Sequence, residues 1–100
     1  MNYTEILSSA YAKAAQTPNE RGIGCGRIYV CIVDKAHTKG MVKAAKALGK
    51  IFQRKAYYGM TNVLYVGYDN CDGKALAQGT AIVAELKANG INCYRDEHGD

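Results

Sequence analysis

Tyr57, Tyr58, Tyr65, Tyr68, Asp69 and Asp72 are the residues of this chain best suited to chemistry, and they fall in or just beyond one stretch, Lys55–Asn70, KAYYGMTNVLYVGYDN. Tyrosine rings stack on flat heterocycles and attract cations, and hydroxyls and carboxylates hydrogen-bond to polar substituents. The plainer alternative is that the rings fill a core and the aspartates build a turn. Familiar hydrolytic machinery is missing: there is no G-x-S-x-G and no H-E-x-x-H, and the chain's serines, Ser8 and Ser9, sit in a segment of helical pattern.

Cys25, Cys31, Cys71 and Cys93 show no C-x-x-C spacing, and His37 and His98 stand apart from them, so no metal site is expected. MNYTEILSSAYAKAAQ lacks the basic and continuous apolar regions of a secretory signal, which predicts four reduced cysteines. Cys31 and Cys93 fall in predicted strands, as small core residues. No apolar run is long enough to span a bilayer, so the expected location is cytoplasmic, with no membrane partner. The glycines of GIGCG precede a strand, the reverse of a phosphate-binding loop, and read as a linker.

The elements that must position the tyrosines follow from periodicity. A share of 48% hydrophobic residues in 100 predicts one domain over 27–100, preceded by a helical arm over 1–20 and a linker over 21–26. The arm, with Tyr3, Leu7, Ala10 and Ala14 at helical spacing, is expected to be mobile or to clasp a neighbouring subunit. RIYVCIV over Arg27–Val33 is a strand apolar on both faces. Thr38 is expected to cap a helix reaching about Arg54, with Met41, Ala45, Leu48 and Phe52 inward. Ala56–Thr61 adds a short strand paired with Val63–Asp69, Asp72 caps a helix over Lys74–Asn89 with Gly90 at its end, and Ile91–Arg95 is the last strand before a fraying polar tail. The result is an α+β, ferredoxin-like βαββαβ sandwich with an additional N-terminal helix; a three-stranded parallel sheet is the alternative.

Strict alternation puts Leu64, Val66 and Tyr68 on the helix side of their strand, and Tyr65, Gly67 and Asp69 on the open side with Tyr29. An open face this apolar predicts a cover: a second subunit, the N-terminal helix, or a ligand held between subunits. Tyr57–Gly59 then lies at the edge, where a ligand enters. The net charge of +4 is a mild excess. Lys39, Lys43, Lys46, Lys50 and Arg54 form a basic stripe that could track phosphates. A solvated helix face is the preferred reading, because no exposed aromatic accompanies the stripe, and nucleic acid is not the favoured partner.

The order of elements, the small size, the hairpin Tyr57-Tyr58-Gly59 ahead of a strand and the polar turn into an alanine-rich helix resemble the phage-encoded S-adenosylmethionine-degrading enzymes, which are lyases. The resemblance spans about residues 27–95. It departs from the family where a glutamate is expected near the hairpin, the nearest acid here being Asp69. It implies a homo-oligomer, a trimer, in the host cytoplasm, with S-adenosylmethionine at subunit interfaces and no cofactor. In the implied reaction the substrate carboxylate attacks its own γ-carbon and expels methylthioadenosine, leaving homoserine lactone. Tyr58 would contact the adenosine or orient the sulfonium, and Asp69 would bind ribose hydroxyls or offset the positive sulfur. Tyr57, Gly59, Tyr65 and Tyr29 would complete the substrate site. Competing readings are a nucleic-acid module using the basic stripe and a protein that binds a host factor through its open face.

Overall fold

Asn2 opens the first helix: its side-chain oxygen accepts from the Glu5 N–H at 3.1 Å, and α1 runs over Tyr3–Gln16. The computed structural model describes residues 1–20, 26–55 and 59–99. They form α1, then β1 (Gly26–Ile32), a 3-10 turn (Lys35–His37), α2 (Thr38–Ala47), β2 (Phe52–Lys55), β3 (Thr61–Asp69), α3 (Lys74–Ala88) and β4 (Cys93–His98). The sheet has the order β2-β3-β1-β4 with every pair antiparallel. This is the ferredoxin-like α+β arrangement with an added N-terminal helix, and it excludes the parallel alternative. None of the described helices is long and apolar enough to cross a membrane.

Helix α1 is part of the core rather than a free arm. Leu7 and Ala10 are fully buried and share one cluster with Val30, Ile32, Leu64, Ile82 and Leu86. All three helices therefore lie on one face of the sheet, which leaves α1 unable to cover the other. The start of α1 docks on α2 through the Tyr3 ring, which lies where a methyl on Gly40 would stand, and through the Tyr3 hydroxyl, 2.8 Å from His37 Nδ1. Gly40→Ala should gain about 1 kcal/mol of helix propensity and lose about 2 kcal/mol to overpacking. The expected net is a loss of about 1 kcal/mol, or roughly 4–8 °C in Tm, with faster amide exchange confined to the first turns of α1. Unchanged exchange there would show that Tyr3 does not hold the helix.

Helix α2 stops earlier than its apolar stripe suggests. Gly49 takes φ +69, Gly49 N–H donates to Lys46, and Lys50 N–H donates to Ala45 at 2.8 Å, the wrap of a Schellman ending. The chain then straightens, so Phe52–Lys55, expected as helix, is the strand β2 and pairs with β3. The expected pairing partner is present, but it lies N-terminal to the predicted Ala56–Thr61. The basic stripe breaks at the same point: Lys50 sits over the Tyr11 ring at 4.4 Å, and Arg54 belongs to β2. Strand β4 is longer than expected, because Asp96–His98 pair with Arg27–Tyr29 instead of fraying.

Two further corrections bear on the site. Strand β1 pairs Ile28 with Gly67 but Tyr29 with Tyr65, so Val66 is an extra residue on β3. A bulge of this kind reverses the inside-outside phase beyond it. Val66 and Gly67 both meet the helix side, Tyr68 turns outward at 44% exposure, and Asp69 turns inward to 0%. Cys71, expected to be reduced, is disulfide-bonded, while Cys31 and Cys93 are free and buried. Of the linker expected over 21–26, Gly26 is the first residue of β1 and residues 21–25 fall outside the described residues.

Candidate functional site

The open face carries a row of side chains across three strands. Tyr65 on β3 and Tyr29 on β1 are register partners with ring centroids 5.5 Å apart at 60°. On β4, Asp96 is the partner of Tyr29, and His98 meets the Tyr29 ring edge-on at 6.0 Å. His98 Nε2 lies 3.4 Å from Asp96 Oδ2. Tyr29 is only 3% exposed, so it supports its neighbours from below, whereas Tyr65, Asp96 and His98 keep part of their surface. Beneath the row, Tyr29, Cys31 and Val63 form a small second cluster, against which Met60 packs. The open face is thus partly covered by the chain's own hairpin.

At the hairpin end of this face, Cys31, Gly59, Met60, Asn62 and Tyr94 line a cavity of about 260 Å³. Gly59 has φ +75 and Asn62 has φ +56; asparagine is among the few residues that tolerate that region. The Tyr94 hydroxyl donates to the Cys31 sulfur, which pushes the Tyr94 pKa up. Burial pushes the Cys31 thiol up as well, against that hydrogen bond, so the thiol stays protonated at neutral pH. Burial likewise raises Cys93 to about 11 and Tyr11 to about 12. Tyr11, Cys31, Cys93 and Tyr94 have therefore all moved away from neutrality, toward their protonated forms.

Asp69, expected on this face, is elsewhere. Beyond the bulge its carboxylate enters the start of α3, where Oδ1 accepts from Gly73 N–H at 3.1 Å and Oδ2 from Leu76 N–H at 3.0 Å. Burial pushes its pKa up, but the N–H groups of Leu76, Gly73, Cys71 and Ala75 more than offset that and hold it below its ordinary value. Asp72, expected as the cap of α3, stands one residue too early: it accepts from Lys74 N–H, but Gly73 is the N-cap, and Asp69 takes the Gly73 and Leu76 N–H groups. Of the predicted site residues, Tyr29, Tyr65 and Gly59 are assembled on the open face or at its end, and Asp69 is not. Tyr57 and Tyr58 lie outside the described residues. The residues missed are Tyr94, Asp96 and His98; their spacing in CYRDEH alternates as a strand face does, and that signal was available.

The row can bind a flat heterocycle against Tyr65 and accept hydrogen bonds through Asp96. Among the described residues, no group of three or more His, Cys, Asp or Glu could hold a metal ion. Comparison of the chain with models of known protein families, with curated proteins and with solved structures finds no match.

Proposed function

We propose that the open face binds S-adenosylmethionine and that the protein cleaves it as a lyase, the remaining walls of the site being supplied by a second copy of the chain. The observation that carries this reading is the Tyr65–Tyr29–Asp96 row, which joins a stacking ring to a partly exposed carboxylate beside the apolar Cys31, Val63 and Met60 cluster. Asp69 is committed to α3, so Asp96 takes the role of accepting from the ribose hydroxyls, and Tyr65 stacks on the adenine. The reaction suits a surface without a poised base. An oxygen of the substrate carboxylate forms a bond to the γ-carbon while the carbon–sulfur bond breaks, and its electron pair returns to sulfur. No proton or water is consumed, and a positive and a negative charge cancel. An apolar surround that excludes water therefore favours the transition state over the charged ground state, and holding the methionine chain folded supplies the rest.

Purified protein incubated with S-adenosylmethionine should release methylthioadenosine, followed by chromatography. Tyr65→Ala should lower kcat/KM by about tenfold or more, the equivalent of one lost stacking contact. Asp96→Asn should raise KM several-fold with little change in kcat, since a ribose contact acts alike in ground and transition states. A folded protein that forms no methylthioadenosine would sink the reading.

A further inference from the structure

On the helix side of the same hairpin, Lys35, Thr38, Arg54, Lys55, Thr61 and Asn62 line a second cavity, of about 330 Å³. Its walls hold three cations and no carboxylate. Among the described residues, none of Lys35, Arg54 and Lys55 has an ion pair. Asp34, the acid nearest in sequence, is occupied by the Ala36 N–H at 2.9 Å and faces His37 at 3.8 Å. Thr38, at the start of α2, is 7% exposed, and its buried hydroxyl has no hydrogen-bond partner among the described residues. A buried hydroxyl without a partner costs stability, and like charges gathered on one cavity repel. A bound anion relieves the repulsion directly, and a turn of the Thr38 side chain would bring its hydroxyl, now out of solvent contact, to the same anion.

We infer that this cleft is a binding site for a phosphate group. Lysine ammonium groups supply point charges, the Arg54 guanidinium a planar fork matched to two phosphate oxygens, and Thr38 a hydroxyl donor. A doubly charged group with several acceptor oxygens uses this donor set more fully than a carboxylate does. Lys39, Lys43 and Lys46 of α2 are not among the residues that line this cavity, and Lys50, beyond the helix, is engaged with the Tyr11 ring. Lys35, Thr61 and Asn62 also line the cavity that contains Met60 and Tyr94, so an organic group attached to the phosphate has a neighbouring seat. This inference is independent of the lyase reading.

The test is an NMR titration of the full chain at constant ionic strength with inorganic phosphate and, separately, with adenosine 5′-monophosphate. Saturable amide shifts at Lys35, Thr38, Lys55 and Thr61 are expected. The doubly substituted Arg54→Gln/Lys55→Gln protein should bind about tenfold more weakly or worse. Thr38→Val keeps the side-chain shape; it should raise Tm without phosphate and weaken phosphate binding. Tighter binding of the nucleotide, with added shifts at Met60 and Tyr94, identifies a phosphorylated organic ligand, and equal binding identifies free phosphate; either supports the site. Linear shifts that chloride reproduces and the double substitution leaves unchanged overturn it. So does saturable binding of a single-stranded oligonucleotide by a protein that binds neither small probe.

Discussion

Gly73→Ala should destabilise the protein by about 4 kcal/mol or prevent folding. Gly73 has φ +78, a region that costs an L-residue about 1–2 kcal/mol. A methyl there would also drive into the backbone carbonyl of Glu20, which cannot rotate aside as a side chain can. The contact cannot be loosened cheaply. Glu20 N–H donates to Gly73 O at 3.1 Å, and the Glu20 carboxylate accepts from Arg95 at 2.6 Å and from Thr80 at 2.9 Å. Arg95 in turn donates to the Leu76 carbonyl and Thr80 in α3, and its guanidinium holds the Glu20 carboxyl below its ordinary pKa. Urea denaturation at pH 7 should show the midpoint collapse. A Gly73→Ala protein within 1 kcal/mol of wild type, on the scale of ordinary surface substitutions, would mean that Glu20 is not held there.

Asp69→Asn should cost about 3 kcal/mol, because an amide cannot accept at both oxygens and its NH2 group would face a backbone N–H. The effect depends on pH, with a definite sign. The folded pKa lies below the ordinary value of 3.8, so the stabilisation is full above 3.8 and is lost as pH falls through the lower folded value. The gap between wild type and Asp69→Asn, measured by urea denaturation, should be constant from pH 7 to about 5 and narrow below 3.8. A gap that held its size in strong acid would mean that the carboxylate charge is not what α3 uses. Lost turnover in Asp69→Asn would accordingly report a damaged helix start, and Asp96→Asn is the substitution that tests substrate contact.

Much of the fold was legible in the sequence because its cues were local and periodic. The Ala75, Gly79, Ile82 and Leu86 stripe is buried as its spacing requires; Thr38, expected as the cap of α2, is its first residue instead, with His37 at the N-cap and no cap bond from the Thr38 hydroxyl. The misreadings came where something non-local decided. The apolar spacing of Leu48 and Phe52 fits a helix as well as it fits a turn and a strand; the left-handed Gly49 between them decides for the latter. The thin stripe of α1 looked too small to anchor a helix, yet small residues let α1 settle closely on α2 and α3. Above all, alternation assumes an unbroken ladder. One extra residue at Val66 exchanged the faces of Tyr68 and Asp69, so the site kept Tyr29 and Tyr65 and lost its predicted acid.

The sheet order has a consequence for synthesis. Strand β1 lies at the centre, but neither of its neighbours is adjacent to it in sequence: β3 follows two strands later and β4 follows all the other strands. During translation β2 and β3 can close as a hairpin soon after both emerge, whereas the Val30 and Ile32 edge of β1 stays open until Cys93–His98 has been made. A nascent chain arrested at the end of α3 would present an unpaired apolar strand to other chains, the form in which sheet proteins aggregate.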